Sequence, residues 1–313
     1  MAAAFELTIL GSSSATPTSK RHPTAQLLNV AERFYLIDCG EATQIQLRRY
    51  KIRFQRISRI FISHLHGDHY LGLMGLLSSL HLLGRRTEMH IHCPPGLKTI
   101  VDLQLELSGT ILNYEIIWHE LNCEKPEVIF SDNLMTVETV ILNHRIPCCG
   151  FIFREKERPY TIDKERIDFH KVPLSQMMSV KNGHDAVLAD GTIVPNHLIT
   201  KGKKMARSYA FCSDTRFDDR VIEAVKGVDL LYHEATFLHE MLERAKQTCH
   251  TTALEAGRVA RLAKVKKLVI GHFSVRYLDL KPLLLEAQTE FPNTFLADEG
   301  THFSIPEEDF VKK

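Results

Sequence analysis

Ser63-His64-Leu65-His66-Gly67-Asp68-His69 is the stretch on which the fold turns. It follows an apolar run, Ile57–Ile62, and precedes the leucine-rich segment Leu71–Leu83, so it reads as a strand-to-helix loop. His64 and His66 alternate along an extended backbone, which sends both imidazoles to one side. Gly67 permits a sharp turn. Asp68 and His69 then arrive at the start of the helix, placed to face a second ion beside the first. Imidazole and carboxylate are zinc ligands, and four of them within six residues is the density of a metal site.

Four ligands cannot complete two tetrahedral sites, and the rest of the chain supplies partners in one recurring context. His144 follows Val140-Ile141-Leu142, Asp214 follows Ala210-Phe211-Cys212-Ser213, and His272 follows Leu268-Val269-Ile270-Gly271. Each stands just past the carboxyl end of an apolar run, where α/β enzymes place their sites.

Further β-rich runs are Phe5–Leu10, Phe34–Ile37, Leu134–Leu142, Ser208–Cys212, Val228–Tyr232 and Lys267–Ile270. Leu71–Leu83 is apolar nearly all round and is expected to be buried. Thr252–Ala263 keeps its apolar residues at near-helical spacing. Strands and helices interspersed in this way predict an α/β sandwich, a single domain over residues 1–313. Arg154–Arg207 differs: it is polar, carries Pro159, Pro173 and Pro195 and an Asp190-Gly191 turn, and reads as an inserted arm or hairpin.

The 313 residues are 44% hydrophobic and 25% charged, which fits a soluble globular enzyme and excludes a disordered chain. No apolar run approaches the ~20 residues that span a bilayer, so no membrane partner is expected. The start, Met1-Ala-Ala-Ala-Phe-Glu, has no basic region of the kind a secretory signal carries. Seven cysteines without framework spacing suit the reduced thiols of a cytoplasmic protein, and Cys148-Cys149 reads as core. The net charge of +1 gives no global sign of a nucleic-acid partner. Charge is uneven, however: Ala42–Gly67 has no acid but six basic residues, and Lys201, Lys203, Lys204 and Arg207 form a second cluster. Such runs are either solvated faces or phosphate contacts. His90 and His92 lie on an expected strand with no acidic companion and read as structural.

H-x-H-x-D-H, a later histidine, a Ser-Asp-Thr aspartate and a Gly-His-Phe-Ser histidine resemble the metallo-β-lactamase superfamily, and more narrowly ribonuclease Z, which removes 3′ trailers from precursor tRNA. The narrower resemblance rests on four stretches. They are Leu10–His22, His233-Glu234-Ala235-Thr236, His250-Thr251-Thr252 and Gly271-His272-Phe273-Ser274-Val275-Arg276-Tyr277. The chain departs from the family pattern at His22, where Asn is usual, at Thr251, where Ser is usual, and in lacking an evident Gly-Pro turn in the arm.

The resemblance implies an αββα sandwich with an inserted arm at 154–207 and two zinc ions per chain. One ion would take His64, His66 and His144, the other Asp68, His69 and His272, with Asp214 bridging. It implies that Asp68 also accepts a proton from water, and that His250, steered by Glu234, serves the leaving oxygen. Asp38 would orient the metal loop. Lys201, Lys203, Lys204 and Arg207 would meet precursor tRNA, and the chain would act as a cytoplasmic homodimer. The alternative on the same fold is a phosphodiesterase for cyclic nucleotides or other small diesters.

Overall fold

Alternation along the strands builds four layers, because the central strands of both large sheets are buried on both faces. In the strand Cys149–Glu155, Phe151 and Phe153 face the opposite sheet while Ile152 faces helices; in Ser208–Cys212, Tyr209 and Phe211 point inward while Ala210 and Cys212 point outward. Tyr35 and Phe61 answer from the other sheet, Phe61 meeting Phe153 edge-on at 5.3 Å and Phe151 at 5.4 Å. Outward-facing Leu36, Ile60 and Ile62 join Leu73, Leu76, Leu77 and Leu80 in a helix-covered core.

The computed structural model describes residues 4–308. Its first sheet runs His302–Ser304, Phe5–Gly11, Ala25–Val30, Arg33–Ile37, Ile57–Phe61, Met89–Cys93, Ile116–Glu120. Pairing is antiparallel up to Arg33–Ile37 and parallel from there on. The second runs Thr294–Leu296, Lys267–Gly271, Leu230–Glu234, Ser208–Cys212, Cys149–Glu155, Met135–Ile141, Val128–Ser131, and its first four strands are parallel. The expected α/β sandwich is the observed architecture. Among the described residues no helix is long and apolar enough to cross a membrane.

One expectation needs revising. The leucine-rich segment follows a one-turn helix at Gly67–Tyr70 and forms a helix at Leu73–Leu82, and only one face is buried. Leu73, Leu76, Leu77 and Leu80 recur at helical spacing toward the sheet, while Leu71, Leu82 and Leu83 are exposed. An apolar composition says nothing of which face the sheet covers.

Residues 4–132, 136–153 and 208–305 form one unit; residues 133–135, 154–207 and 306–308 form another. The second has its own small core of Ile167, Val172, Val180, Ala186, Val194 and Ile199. Helices at Lys164–His170 and Met177–Lys181 and two short strand pairs surround it. Asp190-Gly191 turns one of those pairs, with Gly191 at φ +85°, a left-handed conformation that glycine adopts without strain. Arg207 is buried, donating through Nε and Nη2 to the two oxygens of Glu155. Lys203 pairs with Glu157 and Lys204 with Glu307, and Lys201 is exposed.

Candidate metal centre

Every donor singled out in the sequence stands at or just beyond the carboxyl end of a strand. His64, His66, Asp68 and His69 follow Ile57–Phe61, His144 follows Met135–Ile141, Asp214 follows Ser208–Cys212, and His272 follows Lys267–Gly271. The chain turns sharply at the last of these ends, with His272 at φ 58°, and past the strand Arg33–Ile37, with Asp38 at φ 55°. Left-handed backbone at residues other than glycine costs energy and here aims side chains at one point.

The donors fall into two adjoining groups. One ligand atom each from His64, His66, His144 and Asp214 lies within 4.8 Å of the others, and the same holds for Asp68, His69 and His272. His66 Nδ1 stands 3.0 Å from His64 Nε2 and 3.1 Å from His144 Nε2. Asp214 faces both groups. Its Oδ2 is 3.6 Å from His64 Nε2 and 3.8 Å from His144 Nε2, while its Oδ1 is 3.5 Å from His69 Nε2 and 3.2 Å from His272 Nε2. Asp68 Oδ2 completes the second group at 3.4 Å from His69 and 3.3 Å from His272.

The second nitrogen of four of these rings is held, which fixes tautomer and aim. Ser63 Oγ accepts from His64 Nδ1 at 3.0 Å, and the Cys249 carbonyl accepts from His144 Nδ1 at 3.0 Å. Asp38 Oδ2 accepts from His69 Nδ1 at 2.7 Å, and Thr236 Oγ1 accepts from His272 Nδ1 at 2.9 Å. In each case Nε2 turns into the site. His69 Nε2 is buried with no hydrogen-bond partner, a position that costs energy unless a cation meets it. Burial keeps His64, His66 and His144 in the neutral form that binds metal, while the neighbouring histidines hold Asp68 and Asp214 ionised against burial. Burial opposes a charge on His69, but Asp68, Asp214 and Asp38 outweigh it and draw positive charge to that ring. The donor set fits divalent ions of the zinc type.

Beside the second group stands a buried acid–base pair. Glu234, the last residue of its strand, is fully buried and accepts from His250 Nδ1 at 2.9 Å. It also accepts from the amides of Thr215, Thr251 and Thr236 at 3.0–3.1 Å and from the Thr236 hydroxyl at 2.7 Å. Burial lowers the His250 pKa, but the Glu234 charge and hydrogen bond prevail and push it up to about 9. His250 also lies with Asp214 and His272 in a third donor group. A protonated imidazole cannot bind metal, so this geometry favours a proton donor there.

Sequence reasoning missed the residues that do the holding. Ser63 donates to Asp38 Oδ2 while accepting from His64, and Thr236 joins Glu234 to His272. The Ala15 amide, in the amino-terminal loop, donates to Asp68 Oδ2 at 2.7 Å. All three lie inside stretches quoted in the sequence analysis, which assigned them no role. His22 pairs through Nδ1 with Glu299, which also accepts from Gln46. Cys148 and Cys149 are buried and free, and His90 and His92 stand outside the donor groups.

Fold and site together define a protein of the metallo-β-lactamase fold with two adjoining His/Asp donor groups. A metallo-β-lactamase fold protein from Bacillus subtilis, 18% identical, covers 97% of this chain and 100% of its own at a TM-score of 0.67, which supports the fold alone. Human tRNase Z, short form, is 28% identical with a TM-score of 0.70, covering 96% of this chain and 99% of its own. Ribonuclease Z of Bacteroides fragilis (strain YCH46) is 48% identical over 301 residues, 96% of this chain and 99% of that one. The chain belongs to the ribonuclease Z family, and over residues 5–190 it also matches the family model described as anti-Pycsar protein Apyc1. That second match stops short of Asp214, Glu234, His250 and His272, whereas the ribonuclease Z relatives run through them.

Proposed function

We propose that this enzyme is a zinc-dependent phosphodiester hydrolase, a tRNA 3′-processing endoribonuclease that cuts after the discriminator base and leaves a 3′-hydroxyl on the tRNA. The reading is carried by the Glu234–His250 pair beside the donors Asp214 and His272, in a chain matched end to end by ribonuclease Z. A hydrolase acting on esters with good leaving groups has no use for a charged imidazole there; an RNA 3′-oxygen needs its proton.

His64, His66 and His144 would hold one zinc ion and Asp68, His69 and His272 the other, with Asp214 between them. Bound there, the ions would activate water and offset charge on the phosphate oxygens. Two carboxylates against two divalent ions leave the site positive, which suits a phosphodiester. Asp68, oriented by the Ala15 amide, would accept the proton of the attacking water. His250 would donate to the departing oxygen, its orientation and charge maintained by Glu234. Asp38 and Ser63 would hold the metal-loop histidines in register.

Lys201, Lys203 and Lys204 would contact tRNA phosphates, with Arg207 fixing the base of the segment that carries them. The enzyme would act in the cytoplasm as a homodimer. The test is to strip the protein with chelator, titrate zinc back, and map the cut in a precursor tRNA. Cleavage 3′ of the discriminator, leaving a 3′-hydroxyl and reaching a plateau at two equivalents per chain, one per donor group, is expected. Cleavage elsewhere, or full activity at one equivalent, would refute it. Hydrolysis of a cyclic nucleotide with no tRNA cleavage would establish the small-diester alternative.

A further inference from the structure

Arg59 interrupts the apolar pattern on the inward side of its strand. In Ile57-Ser58-Arg59-Ile60-Phe61, Ile57 and Ile60 face the helix layer and Phe61 faces the opposite sheet. Arg59 shares that inward side. Its guanidinium lies 4.0 Å from the centroid of Phe130, on the edge strand of the other sheet, and donates to His92 Nε2 at 3.1 Å. His92 is itself buried, stacked between Phe61 and His119, and its Nδ1 has no partner. Charged and polar groups therefore occupy positions that aromatic residues fill elsewhere between the sheets, which costs stability unless something is gained.

These residues line or back a cavity of about 520 Å³, within the size range of small-ligand sites. It opens where the strands Ile57–Phe61 and Met89–Cys93 begin, whereas the metal donors follow the end of Ile57–Phe61. Five residues of strand put roughly 15 Å between the two.

The charges in its wall do not cancel. Arg33 pairs with Asp132, Arg56 with Glu32, and Glu88 engages His90 Nε2 at 2.8 Å. Arg85 is buried and donates to the carbonyls of Thr87, Gln55 and Glu88. Among the described residues, neither Arg85 nor Arg59 has a carboxylate within ion-pairing distance. Four arginines thus face three carboxylates, Glu32, Glu88 and Asp132, which leaves the wall a net positive charge, and of Arg59's five N–H donors one is taken by His92.

We propose that this cavity is a second anion site, taking a phosphoryl dianion, either free phosphate or a small phosphate monoester, against Arg59. The net positive wall favours an anion, and the planar fork of Arg59 suits phosphate oxygens. Arg85 supplies chiefly charge, since each of its three nitrogens already donates to a carbonyl.

The test is equilibrium dialysis of the full-length, zinc-loaded protein against labelled inorganic phosphate and, separately, adenosine monophosphate. The metal centre also attracts phosphate, so the readout is the difference between proteins. Wild type should hold one equivalent per chain more than Arg59→Met, in which affinity at this site falls at least about tenfold. Asp214→Ala should keep that equivalent. Ser58→Glu, which sets a carboxylate in the cavity wall and leaves Arg59 in place, should lose it. Tighter binding of the nucleotide than of phosphate identifies a monoester; equal binding identifies the free anion. The same stoichiometry in wild type, Arg59→Met and Ser58→Glu would overturn the proposal and leave Arg59 a structural cation. So would an Arg59→Met protein that takes up the small anions unchanged but binds precursor tRNA more weakly.

Discussion

Asp214 reaches the two donor groups through different oxygens, and the rings it faces are aimed by residues that are not themselves donors. Thr236 is the clearest case, since one hydroxyl ties the carboxylate of Glu234 to the ring of His272. Metal centre and proton-donating pair are thus built on one hydrogen-bond network, and such networks lose function as units. Glu234→Gln keeps one carbonyl oxygen, enough for the Thr215 and Thr251 amides that meet Oε1 but not also for Thr236 at Oε2, while removing the negative charge beside His250. Single-turnover cleavage of precursor tRNA should fall by about 10²–10⁴-fold in His250→Ala. Glu234→Gln should fall by a smaller factor, and the double variant should be no worse than His250→Ala within experimental error. Losses that multiply would show that Glu234 and His250 act separately, and the assigned pairing would fail.

At the scale of elements, local signals were legible and close approaches were not. Thr252 and Glu255 form a reciprocal capping box at the start of the helix Ala253–Leu262, and Thr252 opened the segment read as helical from spacing. The cap is written within four residues. Gly257, inside the same helix, carries no such message. A Cβ built there would stand 2.4 Å from the Ala287 carbonyl oxygen, because the helix Lys281–Glu290 packs directly against it. That neighbour is thirty positions away in sequence, so no window of the chain announces it. Helix propensity alone says that Gly257→Ala should stabilise by about 1 kcal/mol. The clash with backbone, which cannot rotate away, predicts a net loss of about 1–3 kcal/mol. Thermal unfolding of the variant should therefore begin several degrees lower; an unchanged or raised midpoint would mean that the two helices can separate freely. The same blindness explains the leucine-rich helix, where composition implied burial all round and the sheet covers one face.

For the whole molecule, the fold was readable because its donors repeat one grammar, an apolar strand followed at its carboxyl end by His or Asp. Strands without a donor, such as Ile116–Glu120 and Thr294–Leu296, went unread, since edge strands carry weak patterns and no chemistry. The inserted segment was visible only as a change in composition; its core of six small and medium residues is too dispersed to show as a run. That separate core bears on the division of labour, because removing the segment takes none of the residues that pack the sheets. Replacing residues 157–204 with a short Gly-Ser linker spares Glu155 and Arg207, so their mutual ion pair can still close the base. Precursor-tRNA cleavage should then fall strongly, and its salt dependence should flatten by about 0.7–0.9 in log–log slope for each phosphate that is no longer neutralised. Hydrolysis of bis(p-nitrophenyl) phosphate should persist within a few-fold, since the small diester needs only the donor groups and the ions they hold. If both activities disappear together in a protein that still melts cooperatively, the segment supports the metal centre itself. Substrate choice and chemistry would then be one property of this chain, and the lysines of the segment would not be the reason tRNA is preferred.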